Sequence, residues 1–354
     1  MYKKHRAGIL FAIACIFLLA SCSLLDAPEI PGLISTPIAI DFEQVSPEDK
    51  IIIKFSHVVA ENTPKGLAAQ KFKRLAEERT NGRVEVQVFA NAQLYDDDAA
   101  VSALQQNHVQ LIAPATSKMT ALFPEWQVFD LPFAFADEES VRIAMEGELG
   151  ELMFSLLESE YMYGLAMWDN GFKQLTNRSR VIRQPTDVSG LRFRVMDSRI
   201  LEKQYAQLGA IPYISRFSDV YSLLEQQLVD GQENTLSNIY TKRFYEVQNY
   251  MTISNHGYLG YAVITNAEFW SSLPDDIRDV LDQAIAETTL WIRQNARTIN
   301  DEQLENLIRT QRLRVHYLTE SELIQWHNAL QPIYDLLEQE IGKEYIEALQ
   351  TSRK

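Results

Sequence analysis

The sequence of 354 residues has only two cysteines, Cys15 and Cys22, and both lie in its first 22 residues. The rest of the chain therefore has no thiol for a disulfide bond, a zinc site or a nucleophile. Its stability must come from the burial of apolar side chains, and roughly 300 residues suffice for two ordinary domains.

Motifs of common enzymes are also missing: there is no G-x-S-x-G elbow, no phosphate loop and no H-E-x-x-H helix. Asp96–Asp98 lack the alternating spacing and the glycine of a calcium loop, so they indicate a solvated helix start. Glu233 is a candidate acid, but the sequence pairs no second group with it. The histidines beyond the first 22 residues form no pair at ligand spacing: His57, His108, His256, His316 and His327. We predict no metal, no cofactor and no enzymatic activity.

Positive charge is scarce as well, with 33 basic against 48 acidic residues. Removal of residues 1–21 would take away three basic and no acidic residues, which leaves 30 basic residues against 48 acidic ones. Such a surface argues against nucleic acid as a partner and against adsorption to anionic lipid. An anionic ligand would need a local pocket of fixed positive groups.

No apolar run is long enough to span a membrane, which takes roughly 18 to 20 residues. Residues 1–21 instead have the pattern of a signal peptide, with three basic residues before the apolar run at 9–19. Leu19–Cys22 matches a lipoprotein cleavage site and predicts acylation of Cys22; the alternative is an ordinary signal peptide with an incidental cysteine. Residues 22–50 contain four prolines and predict a tether reaching roughly 30 Å.

The folded part begins with an alternation of strands and helices. Apolar patterning predicts a strand at 51–56, a helix at 64–79 that buries Leu67, and strands at 83–89 and 109–113. This alternation is typical of α/β proteins with a mainly parallel sheet.

Three further elements follow in the second half of the chain. Residues 165–168 predict a short strand, and residues 257–265 an aromatic-rich strand suited to crossing between domains. The longest helical pattern covers 274–311, which would measure roughly 50 Å. A last strand at 313–317 precedes a helical region at 320–349 that Pro332 should break.

The most informative stretch is residues 190–234. Leu191, Phe193 and Val195 alternate with Arg192 and Arg194, as a strand requires. A helix ending at Gly209, a short strand at 211–214, a helix capped by Ser218 and a loop at 232–234 should follow. Ligand groups in such sheets lie at the carboxyl ends of strands, so Arg194 and Asn234 are candidates to face one crevice.

The same stretch resembles the solute-binding proteins of TRAP transporters, the DctP-type extracytoplasmic receptors for small carboxylates. The residues that carry the resemblance are Gly190, Arg192, Arg194 and Val195; Leu208 to Pro212; Phe217 to Tyr221; and Val229 to Asn234.

The resemblance implies a two-domain periplasmic-binding-protein-like α/β fold with crossing strands and a long helix across both domains. Domain I would comprise residues 51–170 plus 260–299, and domain II residues 171–259 plus 300–354. The receptor would be held by its lipid at the periplasmic face of a bacterial membrane. It would deliver a small organic acid to TRAP membrane subunits.

It also implies the ligand contacts. Arg194 would pair with a carboxylate with the help of Lys173, Asn234 would hydrogen-bond the ligand, and Phe217 would pack against its apolar part. Lys173 stands where relatives typically have arginine, so a point charge replaces a planar fork in the second anchor. Thr116, after the strand at 109–113, lies where relatives often place a polar ligand contact, and a purely structural loop is the alternative there.

Two other interpretations remain open from the sequence. The same fold would also suit a receptor for an ABC importer, a sensor, or a lipoprotein partner with a more apolar ligand. An exported enzyme is the remaining interpretation, and Glu233 is the only candidate acid that we can name for it.

Overall fold

The computed structural model describes residues 50–352. The predicted signal peptide, the acylation site at Cys22 and all but the last residue of the predicted tether lie outside the described residues. Within them, no helix combines the length and the apolar character needed to cross a membrane.

Regular elements follow one another along the described chain. The strands are β1 (Ile51–Ser56), β2 (Val84–Phe89), β3 (Leu111–Ile112), β4 (Met162–Asn177), β5 (Arg192–Val195), β6 (Ile211–Ile214), β7 (Gly231–Thr235), β8 (Tyr250–Ile253), β9 (Tyr258–Asn266) and β10 (Arg314–Tyr317). The helices are α1 (Pro64–Arg79), α2 (Asp97–Gln105), α3 (Glu138–Glu146), α4 (Glu148–Leu157), α5 (Arg199–Gln207), α6 (Val220–Glu225), α7 (Leu236–Thr241), α8 (Ala267–Ser272), α9 (Asp275–Arg309), α10 (Glu320–Leu330), α11 (Pro332–Ile341) and α12 (Lys343–Thr351).

The strands form one path in the order β2-β1-β3-β9-β4-β7-β5-β6, with β8 beside β4 and β10 beside β8. The strands β1, β2 and β3 are parallel, and so are β5, β6 and β7. The predicted α/β alternation is therefore confirmed. The predicted burial of Leu67 is wrong, because its side chain is 37% exposed. It lies about 100° around α1 from its buried neighbour Ala68.

Strand β4 joins two halves of this path: the first half contains β1, β2, β3 and β9, and the second half contains β5, β6, β7, β8 and β10. It pairs with β9 as far as Phe172, and with β7 from Lys173 onward. The sequence predicts only residues 165–168 of this strand, because the polar residues that follow hide it. The predicted strand at 257–265 is present as β9. However, β9 pairs within the first half, and the chain crosses back at residues 254–257, just before it.

Two details of the central stretch differ from the prediction. Residues 232–234 belong to the fully buried strand β7, where a loop is expected. Ser218 does not cap a helix, because a 3-10 turn at Phe217–Asp219 precedes α6 and Asp219 occupies the N-cap position. The inserted turn moves the start of the helix by one residue.

Helix α9 confirms the predicted long helix and runs for 35 residues. Its first two thirds pack into the core around α1 and β9, whereas Leu307 packs beside Val220 and Met251 in the core of the second half. The helical pattern is interrupted at Asn300, and the structure gives the reason. The Asn300 side chain donates to the Asn170 carbonyl (2.6 Å) and accepts from the Ser237 backbone N–H (2.9 Å). Pro332 separates α10 from α11, as predicted.

Candidate ligand-binding site

The two faces of strand β7 carry different chemistry. The pairing register places Gln232 opposite Arg194 of β5, and Asn234 opposite Gln174 of β4. Side chains alternate along a strand, so Glu233 points to the opposite face. We call these the Arg194 face and the Glu233 face.

The Glu233 face holds a closed network of buried polar groups. Lys173 Nζ lies 2.6 Å from Glu233 Oε1, while His256 Nε2 lies 2.7 Å from Oε2 and the Tyr205 hydroxyl donates to the same oxygen. Burial alone would raise the pKa of Glu233, but the charge of Lys173 and the hydrogen bond from His256 outweigh it and hold this pKa well below its usual range. Gly257 leaves the space for the lysine, since a Cβ there would lie 2.6 Å from Lys173 Cε.

Both the ammonium and the backbone N–H of Lys173 are therefore bound by protein groups. Its ammonium is neutralised by Glu233, and its backbone N–H donates to the Gly257 carbonyl. The predicted contact between Lys173 and a ligand stays a prediction.

Arg194 is buried without a counter-charge. Its side chain is 1% exposed, and its guanidinium donates to the Ser215 carbonyl (2.7 Å) and to the Ser215 hydroxyl (3.3 Å). No carboxylate within residues 50–352 forms an ion pair with it. Burial lowers the pKa of Arg194 to about 10, although Glu233 and Asp97 oppose this shift. A buried cation of this kind is costly unless a partner arrives from outside.

Lys65 is a second buried cation, and the sequence reasoning missed it. Its Nζ donates to the Ala113 carbonyl (2.7 Å) and lies 3.6 Å from the centre of the Tyr261 ring. It has no acidic partner in the described part of the chain, and burial lowers its pKa to about 8, against the influence of Asp97. One signal was available: Lys65 lies in the first turn of α1, where the helix dipole disfavours a cation.

Neutral polar groups connect these cations. Ala115, the residue before the predicted Thr116, forms a backbone bridge with Tyr261, whose ring Lys65 contacts, and the predicted ligand contact of Thr116 stays a prediction. Asn238 donates to Asn234 Oδ1 (2.7 Å), and no protein group in residues 50–352 accepts from the Asn234 amide nitrogen. Asn234 lies on the same face of β7 as Gln232, which pairs with Arg194.

Phe217 lies where the two halves meet. It packs edge-on against Phe244 and contacts the hydrophobic cores of both halves. Arg216 forms an ion pair with Asp96 (3.0 Å), which links the second half to the first beside this ring. Nearby, Lys242 Nζ donates to Asn91 Oδ1 at 3.0 Å.

The arrangement suits anion binding. Two unpaired cations and a free amide donor offer the charge-assisted hydrogen bonds that carboxylates accept. In the described part of the chain, no group of three or more histidine, cysteine, aspartate or glutamate side chains is placed to hold a metal ion. A mixed α/β sheet made of two halves is an architecture found in solute-binding proteins.

Comparison with known proteins defines the family. Residues 55–340 match the family model described as bacterial extracellular solute-binding protein, family 7 (DctP). The chain therefore belongs to this family, and the resemblance to TRAP solute-binding proteins is confirmed.

Named relatives are similar over most of their length. The C4-dicarboxylate-binding protein DctB of Bacillus subtilis is 44% identical over 90% of this chain and 91% of its own. The C4-dicarboxylate-binding periplasmic protein DctP of Rhodobacter capsulatus is 43% identical over 86% of this chain and 91% of its own. A TRAP periplasmic solute-binding protein from Shewanella oneidensis, solved with bound succinate, has a TM-score of 0.84 and 41% identity. That match covers 86% of this chain and 100% of the solved one.

Proposed function

We propose that this protein captures a C4-dicarboxylate in the site on the Arg194 face and delivers it to a TRAP-type secondary transporter. The observation that carries the proposal is the presence of two buried cations, Arg194 and Lys65, without acidic partners in the described chain. The ligands named for the relatives and for the solved structure support the same class.

The number of cations favours two carboxylates over one. Each buried cation is stabilised when an anion forms a charge-assisted hydrogen bond with it. A monocarboxylate leaves one of the two without a counter-charge, whereas a dicarboxylate neutralises both. Asn234 then donates its free amide N–H groups to one carboxylate. Phe217 covers the methylene carbons, as the resemblance implies.

Calorimetry with succinate and butanoate tests this function, because the two acids share a four-carbon chain and differ by one carboxylate. We expect succinate to bind with one-to-one stoichiometry. Butanoate should bind at least about 30-fold more weakly, since one buried cation keeps no partner. Equal affinity for the two acids, or no binding of either, would contradict the proposal.

We further propose that the predicted domains, 51–170 plus 260–299 and 171–259 plus 300–354, close over the ligand by a hinge motion. The change of partner strand along β4 between Phe172 and Lys173 lies two residues beyond the predicted boundary and supports a boundary in this part of the strand. The receptor releases its ligand chemically unchanged and needs no metal or cofactor. Undiminished succinate affinity after chelation is the expected result.

The lipid anchor at Cys22 is also a proposal, and the Leu19–Cys22 motif supports it. Metabolic labelling with a fatty acid should mark the full-length protein and leave the Cys22→Ser variant unlabelled. An unlabelled wild-type protein would contradict the proposed anchor and would leave the proposed ligand site unaffected.

A further inference from the structure

The side-chain amide of Asn234 has two ends, and only one of them suits a carboxylate. Its nitrogen donates hydrogen bonds, whereas its oxygen only accepts them, as a carboxylate does. Thr235 distinguishes the two ends, because its backbone N–H donates to Asn234 Oδ1 at 3.2 Å. A backbone N–H cannot accept a hydrogen bond, so this contact identifies the oxygen. The nitrogen of Asn234 therefore remains available to a ligand.

Asn238 makes a second contact with the oxygen of Asn234. The side chain of Asn238 is 2% exposed, and its Nδ2 donates to Asn234 Oδ1 at 2.7 Å. Its own Oδ1 is buried and accepts no hydrogen bond from residues 50–352, which is unfavourable. Turning the Asn238 amide over would place its oxygen against the oxygen of Asn234. The contact with Asn234 therefore decides how Asn238 is oriented, although one acceptor stays unsatisfied.

Helix α7, which carries Asn238, is fixed in place through the residue before it. The Ser237 backbone N–H donates to Asn300 Oδ1, and the Ser237 hydroxyl donates to Asn170 Oδ1, both at 2.9 Å. These two partners belong to α9 and β4. Because α7 is bonded to two other elements, the amide nitrogen of Asn238 is held at the position where it meets Asn234.

We propose that Asn238 is a positioning residue, whose hydrogen bond keeps the amide N–H groups of Asn234 directed at a bound carboxylate. This inference rests on the proposed function, in which Asn234 donates to one carboxylate of the ligand. Asn238 itself needs no contact with the ligand for this role. Without Asn238, only the longer bond from Thr235 holds the Asn234 amide. The amide can then turn over and present its oxygen to an anion that offers no proton.

Calorimetry with succinate tests this role. Asn238→Leu keeps the approximate size of the side chain and removes both polar atoms. The variant should bind succinate about tenfold more weakly than the wild-type protein, because a hydrogen bond to a charged group is weakened. Its thermal stability should stay the same or rise, since the unsatisfied acceptor is removed as well. Asn249→Leu is the matched control: this exposed asparagine of the same half donates to the Arg178 carbonyl at 2.8 Å, and its loss should leave the affinity unchanged.

A double-mutant cycle in an Asn234→Leu background separates positioning from a general structural effect. If Asn238 acts through Asn234, Asn238→Leu should change the succinate affinity by less than about twofold in that background. A tenfold loss in both backgrounds, or wild-type affinity in a folded Asn238→Leu protein, would overturn the role of Asn238. Wild-type affinity in Asn234→Leu would also remove this inference and would leave the function of the two cations intact. Absence of succinate binding by the wild-type protein would contradict both.

NMR of the side-chain amides gives a second measurement, on the wild-type protein, that no misfolded variant can obscure. The N–H signals of Asn234 should shift when succinate is added, because these groups gain a charged acceptor. The N–H signals of Asn238 should change little, because their acceptor is Asn234 Oδ1 in both the empty and the loaded protein. A larger shift for Asn238 than for Asn234 would indicate direct contact with the ligand and would overturn the positioning role.

Discussion

The two faces of β7 differ in whether a buried cation has a counter-charge. On the Glu233 face, the ammonium of Lys173 meets a carboxylate at 2.6 Å, and that carboxylate accepts two further hydrogen bonds. On the Arg194 face, the oxygens that accept from the guanidinium within residues 50–352 are the carbonyl and the hydroxyl of Ser215. Both cations are equally buried, so burial alone does not separate them.

The difference separates charge that serves the fold from charge that serves a ligand. A neutralised pair contributes a fixed geometry and loses it when either partner is removed. A cation without a counter-charge reduces the stability of the empty protein and gains its partner when an anion binds. The partner of a buried cation is therefore more informative about function than its burial.

The largest effect should come from breaking the Glu233 face. The change Glu233→Gln leaves the Lys173 ammonium buried without a counter-charge, so the free energy of unfolding should fall by about 3 to 5 kcal/mol. Denaturant unfolding measures this loss. Glu225→Gln alters an exposed glutamate of the same half and should change stability by less than about 0.5 kcal/mol. A small effect for both variants would contradict a structural role for the pair.

The same network predicts a dependence on acid. Glu233 has a folded-state pKa below its ordinary value, so its contribution is fully present above about pH 4.3, the unfolded-state value. It is lost as the pH falls below that point. The wild-type protein should therefore lose its stability advantage over Glu233→Gln in acid. A difference in the free energy of unfolding that stays constant with pH would contradict this prediction.

The next largest effect concerns the Arg194 face. The change Arg194→Met should weaken succinate binding by about 30-fold or more, because such contacts are worth about 2 to 5 kcal/mol. Thermal stability should stay the same or rise, since an unpaired buried cation is removed. Arg192→Met is the control, because Arg192 lies two residues away and pairs with Asp230 at the surface. Wild-type affinity in a folded Arg194→Met protein would exclude Arg194 as the anchor.

A smaller effect should follow from the protonation of Lys65. Its pKa in the empty protein is about 8, and a bound carboxylate favours the charged form. Above pH 8 the ammonium must regain a proton before it can pair with the ligand, so affinity should fall about tenfold between pH 7 and 9. Calorimetry across this range should show the fall for the wild-type protein and a flat profile for Lys65→Met. An affinity of the wild-type protein that does not change with pH would show that Lys65 does not contact the ligand.

The smallest effect should come from Gly257→Ala. The added Cβ would approach Lys173 Cε at 2.6 Å and push the ammonium away from Glu233, at a cost of about 1 to 2 kcal/mol in stability. Affinity for succinate should stay within about twofold, because the change touches only the Glu233 face. When Gly257→Ala is combined with Glu233→Gln, the total loss of stability should be smaller than the sum of the two separate losses, since both changes act on one ion pair. Full additivity would show that the glycine acts elsewhere.

Local patterns in the sequence were enough for some elements and not for others. The 3.6-residue period is visible along α9, and period-two alternation places Arg194 and Phe193 on opposite faces of their strand. Strand β4 was hidden because its second half carries buried Lys173, Gln174 and Thr176, which are polar residues with partners far away in the chain. Apolar patterning cannot reveal such a strand.

The candidate site was only partly accessible to sequence reasoning. Arg194 and Asn234 could be grouped because they lie in one continuous stretch that carries the family resemblance. Lys65 comes to the same site from a helix about 130 residues earlier, and only the packing of α1 against Ala113 and Tyr261 brings it there. The pairing of Lys173 with Glu233 likewise depends on the register of β4 and β7, which no local pattern specifies.

Helix α9 has a consequence for the way in which the protein comes apart. At about 1.5 Å per residue, its 35 residues extend roughly 52 Å and contribute buried side chains to the cores of both halves. One half of the molecule cannot unfold unless α9 breaks or separates from it, and α9 also packs into the core of the other half. Heating should therefore produce a single cooperative transition, and the amides near Asn300 should exchange with solvent only when the whole molecule opens.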